Sequence, residues 1–273
     1  MAIHFRAAFA LSIATILAGC AGHGGTSITT PPANPYTFSG DWVAQTNGLT
    51  SVPVGKFIGA LTAANGVISG TLVPMPGGSC TAVFTSPPTA VSGTVDSTGK
   101  LTITLPVTGG TATITAILGT NLNAPSTGTY QITGGTCPMT STSMTIVEYA
   151  PVTGTYTGTF TDLAGLLGSN SSTITVSAVL LQSATPDAIG AFPVTGTVTT
   201  TGSCAVSFSL AGAYIWGGTL LGSGVLPGGS SQDLIGSFDP TAITSNPAVF
   251  DDAVVSTGCP NAPKSFGGPL TRQ

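Results

Sequence analysis

The chain has very few charged residues for its length. Charged side chains make up 5% of its 273 residues, with five cations, nine acids and a formal net charge of −4, whereas typical domains have about a quarter. So few cations cannot form the basic stripe that binds phosphate backbones, so we expect no nucleic-acid partner. The polar surface must consist mainly of Thr, Ser, Asn and Gly residues.

Histidine is nearly missing as well. The chain has two histidines, His4 and His23, and both precede Tyr36, where regular hydropathy patterning begins. Their position argues against a Ser-His-Asp hydrolase, a Cys-His protease and a His-ligated metal site. Neither a Cys-x-x-Cys pair nor a phosphate-binding Gly-Lys-Ser/Thr loop occurs. We therefore expect no metal, no cofactor and no enzymatic activity.

The first twenty residues have the pattern of a secretory signal. Arg6 supplies a positive charge, residues 7–17 are an uncharged apolar run, and the small residues Ala18 and Gly19 follow it. Such an order is typical of exported proteins. The run is too short to cross a bilayer, which takes about 20 apolar residues.

Leu17-Ala18-Gly19-Cys20 resembles the lipobox of bacterial lipoproteins. The resemblance implies that residues 1–19 are removed and that the Cys20 thiol receives a diacylglyceryl group, so the membrane partner would be reached through lipidated Cys20. Ala21 stands where an Asp commonly retains such proteins in the inner membrane. We therefore expect an exported protein anchored to the cell envelope at the outer membrane.

The rest of the chain predicts a tether followed by β-structure. Residues 20–35 have no sustained periodicity and predict a flexible, disordered tether. Beyond it, apolar and polar residues alternate in Leu101–Leu105, Thr111–Ile117 and Ile174–Val179, as in half-buried strands. Asn65-Gly66 separates two further runs and is a strong hairpin signal.

A weak internal repeat divides this β-region into two units. Similar segments recur in the same order and at nearly equal spacing, namely Gly78–Phe84 with Gly202–Phe208, and Gly135–Pro138 with Thr257–Pro260. Repetition of this kind indicates duplicated structural units. We predict a first β unit over 36–150 and a second over 151–273. The expected fold is all-β, with two tandem antiparallel meander barrels or sandwiches that could pack together.

Four of the five cysteines fall within the repeated segments. Exported proteins meet an oxidising compartment, where even numbers of cysteines form disulfides. The repeat favours one bond within each unit, Cys80–Cys137 and Cys204–Cys259. Cys20 is then left for lipidation.

Three aromatic residues are candidates for ligand binding. Trp42 and Tyr156 stand near the starts of the two units, and Trp216 precedes Gly217-Gly218, which could clear a flat face for stacking. Core packing is the alternative for all three. Glu148 is a further candidate: burial of both faces of its strand would raise its pKa and favour a functional role, whereas a polar position near the unit's end would not.

Gly40-Asp41-Trp42 and Ser69-Gly70-Thr71 are similar to segments of avidin- and lipocalin-type barrels. The likeness implies small antiparallel barrels and assigns no ligand residue. We expect a lipid-anchored envelope protein with a binding or structural role and a protein, glycan or small-ligand partner. One alternative is a small-ligand-binding barrel. Another is a carbohydrate-active enzyme, which would need two carboxylates across one cleft.

Overall fold

The computed structural model describes residues 36, 38–46, 54–76, 88–118, 125–164, 172–226, 229–238, 249–259 and 262–273. The predicted signal over 1–19, the tether over 20–35 with Cys20, and Cys80 lie outside the described residues. In the part of the chain that is described, no helix has the length and apolar character needed to span a membrane.

Within the described ranges, sixteen strands form the fold, in two sets of eight. The first set is β1 (Phe38–Thr46), β2 (Val54–Ala64), β3 (Val67–Pro76), β4 (Thr89–Val95), β5 (Lys100–Val107), β6 (Gly110–Ile117), β7 (Ser126–Gly134) and β8 (Met139–Tyr149). The second set is β9 (Gly154–Asp162), β10 (Thr173–Gln182), β11 (Phe192–Gly202), β12 (Ser207–Trp216), β13 (Thr219–Val225), β14 (Ser231–Phe238), β15 (Val249–Cys259) and β16 (Ala262–Arg272).

Each set closes into an antiparallel barrel. Within each set, every strand pairs with the next along the chain, and the first strand also pairs with the last, β1 with β8 and β9 with β16. The first barrel ends at Tyr149 and the second begins at Gly154. The structure confirms the all-β prediction and selects two meander barrels over two sandwiches.

Alternation along the strands explains which side chains enter each barrel. In β5, Leu101, Ile103 and Leu105 are buried, while the threonines between them point outward. The predicted hairpin at Asn65-Gly66 joins β2 to β3, and both residues have positive φ, at 54° and 79°. The local sequence signals thus correspond to strands and turns at these positions.

Side chains fill the interior of the first barrel. Trp42 and Phe57 lie in this core, and the Phe57 ring meets the Tyr130 ring edge-on at 5.2 Å between centroids. The cavity beside Trp42 has a volume of about 10 Å³, which is close to the minimum for one water molecule. A ligand inside this barrel would therefore have to displace core side chains.

The second barrel has an aromatic core and the predicted disulfide. Tyr156 is fully buried and its ring lies 5.2 Å from that of Phe250. Cys204 and Cys259 form a disulfide bond that links the segment after β11 to the end of β15. Cys137 is disulfide-bonded as well, but its pairing with Cys80 stays a prediction because Cys80 lies outside the described residues.

Candidate functional site

The outer face of β2, β1 and β8 presents three rows of side chains to the second barrel. In a β-sheet, residues paired across strands project on the same face. The registers of β1 with β2 and with β8 define the rows as Ala60–Asp41–Tyr149, Ile58–Val43–Val147 and Lys56–Gln45–Thr145. The first row contains a buried acid, the second is apolar and the third is polar.

A turn from the second barrel covers the first row. The turn is Gly217-Gly218, between β12 and β13. The Gly217 amide donates to Asp41 Oδ1 at 2.8 Å, and the Gly218 amide donates to Asp41 Oδ2 at 2.7 Å. Each carboxylate oxygen of Asp41 therefore has a backbone partner from the other barrel, which fixes the two barrels together at this point.

Glycine is required at both turn positions. Gly217 and Gly218 have φ of 60° and 74°, in the left-handed region. A Cβ on Gly217 would lie 2.8 Å from Ile58 Cγ2, and one on Gly218 would lie 2.4 Å from Tyr149 Cζ. The pair was expected to clear a stacking face beside Trp216; in the structure it allows the turn to fit closely against the first barrel.

The apolar row continues this contact. Val43, Ile58 and Val147 are each less than 10% exposed and belong to a hydrophobic cluster continuous with the core of the second barrel. A second contact comes from the segment between β10 and β11, where a Cβ on Gly190 would lie 2.8 Å from the Ala60 backbone nitrogen. The barrels thus share an apolar interface.

Burial perturbs the acid at the centre of this interface. Asp41 is 1% exposed. Desolvation raises the pKa of Asp41 to about 6, although the Gly218 and Gly217 amides and the charge of Lys56 favour the ionised form. The acid with this raised pKa is therefore the one that accepts both hydrogen bonds from the turn.

The polar row remains open and forms the floor of a cleft between the barrels. The cleft has a volume of about 430 Å³, within the usual range for small-molecule sites. Its opposite wall includes Thr219 and Ser237, which are paired between β13 and β14. The full lining is Val43, Gln45, Lys56, Thr145, Val147, Tyr149, Gly217, Gly218, Thr219 and Ser237.

Glu148 lies on the other face of the same sheet. It pairs with Trp42, which points into the first barrel, and its Oε1 would lie 3.2 Å from a Cβ on Gly40. Its neighbours Val147 and Tyr149 are buried against the second barrel, so both faces of β8 are covered here. Burial raises the pKa of Glu148 to about 7. Burial of both faces of the strand was the condition under which a raised pKa of Glu148 was expected, and the structure meets it.

Asp41 and Glu148 do not form a catalytic pair. Asp41 faces the second barrel, whereas Glu148 faces the interior of the first, so the two carboxyls lie on opposite faces of one sheet. Glycoside hydrolysis needs both carboxyls on one cleft. Within the described residues, no group of three or more His, Cys, Asp or Glu side chains could hold a metal ion.

The aromatic residues predicted to bind ligand do not line the inter-barrel cleft. Trp42 and Tyr156 are buried in the two barrel cores. Trp216 is partly buried against the core of the second barrel. The indole nitrogens of Trp42 and Trp216 and the Tyr156 hydroxyl are buried, and none has a hydrogen-bond partner among the described atoms. Their ligand-binding role stays a prediction.

Sequence reasoning missed Lys56, Gln45 and Thr145. Each is an ordinary outward-facing polar residue in its own strand, and only the barrel register aligns them. A partial signal was present in Thr145–Tyr149, where apolar residues occupy both faces of the strand. Such a strand indicates that a second layer covers the outside of the barrel.

Comparison with known proteins adds no functional information. The chain matches no protein-family model and no curated protein. Among solved structures it is similar to a protein of unknown function from the DUF3598 family of Nostoc punctiforme, with 10% sequence identity and a TM-score of 0.22. That match covers 86% of this chain and 94% of the other.

Proposed function

We propose that the protein is an exported, lipid-anchored component of the cell envelope that binds a ligand in the cleft between its barrels without catalysing a reaction. The observation that carries the binding role is the 430 Å³ cleft, where polar side chains of the first barrel face Thr219 and Ser237 of the second. The turn contacts at Asp41 hold both walls in place. A preformed cleft binds with less loss of conformational entropy than a flexible surface.

Support for the anchor comes from the sequence. The lipobox-like segment ending at Cys20 follows an apolar run of signal-peptide length. The Cys204–Cys259 disulfide is compatible with an oxidising compartment. Two or more acyl chains on one cysteine would give stable membrane attachment.

Intact mass measurement tests the anchor. Protein purified from the membrane fraction should have the mass of residues 20–273 plus that of the attached lipid. The Cys20→Ser variant should lose the lipid mass and leave the membrane fraction. A wild-type protein with a free Cys20 thiol would contradict the proposal.

Solution NMR tests the binding role. We expect a panel of short organic acids, sugars and peptides to shift the amide signals of Lys56, Gly218 and Thr219 in the isotope-labelled protein. The Thr219→Trp variant, which fills the cleft, should lose these shifts. Thr94→Trp is the matched control, because Thr94 is exposed on β4 and does not line the cleft. Shifts that occur only elsewhere, or none for the whole panel, would contradict a binding role for the cleft.

A further inference from the structure

We propose that the ligand of the cleft is a carboxylated saccharide, whose carboxylate binds Lys56 and whose hydroxyls bind the polar side chains around it. This inference rests on the proposed function and names the class of ligand. It depends on three features of the described lining: an unpaired cation, a set of uncharged polar groups and the lack of an open apolar or aromatic face.

The unpaired cation is Lys56. It is half-buried at the cleft and forms no ion pair with any residue that the structure describes. Lys264, by contrast, donates to Asp162 at 2.9 Å. Asp41 forms no ion pair with Lys56 among the described residues, and the charge of Lys56 acts on the pKa of Asp41 only from a distance. The ammonium is therefore free to bind an anionic group, and partial burial strengthens such a contact.

Uncharged polar groups surround this cation on both walls. Gln45 on β1 pairs with Lys56 on β2, and Thr145 on β8 pairs with Gln45 from the other side; paired side chains of this kind lie about 5 Å apart. Thr219 and Ser237 face them from the second barrel. Hydroxyls both donate and accept hydrogen bonds, and the amide does the same with separate atoms. This set matches a ligand that carries several hydroxyls and one acid.

The lack of an open apolar face in the described lining favours an acidic sugar over a neutral one. Val43 and Val147 border the cleft but are 7% and 4% exposed, because the interface between the barrels covers them. Tyr149 is the aromatic residue of the lining, but it is 6% exposed and its ring lies against Gly218. Since no aromatic face is open for stacking in the described lining, the charge of Lys56 must supply much of the affinity.

Calorimetric titration of the detergent-solubilised, lipidated protein tests this inference. The probes are trigalacturonic acid and the neutral galactose trisaccharide. We expect the acidic probe to bind and the Lys56→Met variant to weaken it roughly tenfold to a hundredfold, the range for losing one charge-assisted hydrogen bond. Lys100→Met is the matched control, because Lys100 lies on β5 outside the cleft and should leave the affinity unchanged.

The outcomes separate this inference from the proposed function. Equal binding of both trisaccharides, unchanged in Lys56→Met and lost in Thr219→Trp, would overturn the acidic class and leave the cleft as a binding site. Binding of the acidic probe that Lys100→Met weakens as much as Lys56→Met would also overturn it. No binding of either trisaccharide would overturn the saccharide assignment, while the NMR panel separately tests the cleft.

Discussion

Replacing Glu148 by Gln should change how the stability of the protein depends on pH. The Glu148 side chain is half-buried on the face of β8 that points into the first barrel. Its carboxylate has no hydrogen-bond partner among the described residues. Gln has nearly the same shape and cannot ionise. The substitution therefore removes the titration and leaves the packing close to that of the native protein.

The sign follows from the difference between the folded and unfolded pKa values. Burial raises the pKa of Glu148 from 4.5 to about 7, so between these values the native state keeps a proton that the unfolded state has released. The free energy of unfolding then falls by about 1.4 kcal/mol per pH unit as the pH rises. Over this interval the loss approaches about 3 kcal/mol, and it is complete above the folded pKa.

Urea unfolding of both proteins from pH 4.5 to 8.5 measures this effect. The Gln variant should gain stability relative to the wild type as the pH rises, and the two should converge at the acidic end. The pKa of Asp41 is raised to about 6, so Asp41 also makes the free energy of unfolding fall as the pH rises. This contribution is the same in both proteins and cancels when the two are compared. A pH-independent difference between Glu148→Gln and wild type would refute the reasoning.

Two further predictions concern the second barrel and its turn. Replacing Cys204 and Cys259 together by Ala should lower the free energy of unfolding by about 4 kcal/mol, because the disulfide bond closes a loop with a sequence separation of 55. Urea unfolding measures this loss, and an unchanged unfolding midpoint would contradict the prediction. Gly218→Ala should destabilise the protein more than Gly212→Ala. In both variants an alanine in the left-handed region costs about 1–2 kcal/mol of stability, but the added Cβ clashes with a neighbouring residue only at Gly218. Equal losses in urea would contradict close docking of the turn.

The sequence predicted the strands well because local chemistry determines them. Leu101–Leu105 and Thr111–Ile117 alternate with period two, and both lie in strands with one buried face. Asn65-Gly66 predicted a hairpin because both residues tolerate positive φ, and both have it. The closure of the strands into barrels was harder to predict from the sequence. A meander barrel and a sandwich share this alternation, and they differ in whether the first and last strands pair.

The site was harder to predict because it belongs to two barrels at once. Asp41 occurs in the sequence only as the middle of Gly40-Asp41-Trp42, and its partner Gly217 lies 176 residues away along the chain. No local pattern identifies such a contact. Glu148 was a partial exception: the sequence left open whether both faces of its strand are buried, and the raised pKa follows from the burial that the structure shows.

The pairing of β16 with β9 has a consequence for the order in which the protein assembles. A chain made from its N-terminus can close the first barrel once β8 has emerged, but the second barrel also needs β16, Ala262–Arg272. Domains generally fold as units during synthesis, with the N-terminal one first. The Gly217-Gly218 turn can dock stably on Asp41 only when its own barrel is complete. A truncated chain would therefore present a finished first barrel whose outer apolar row is uncovered, a state that quality-control proteases could recognise.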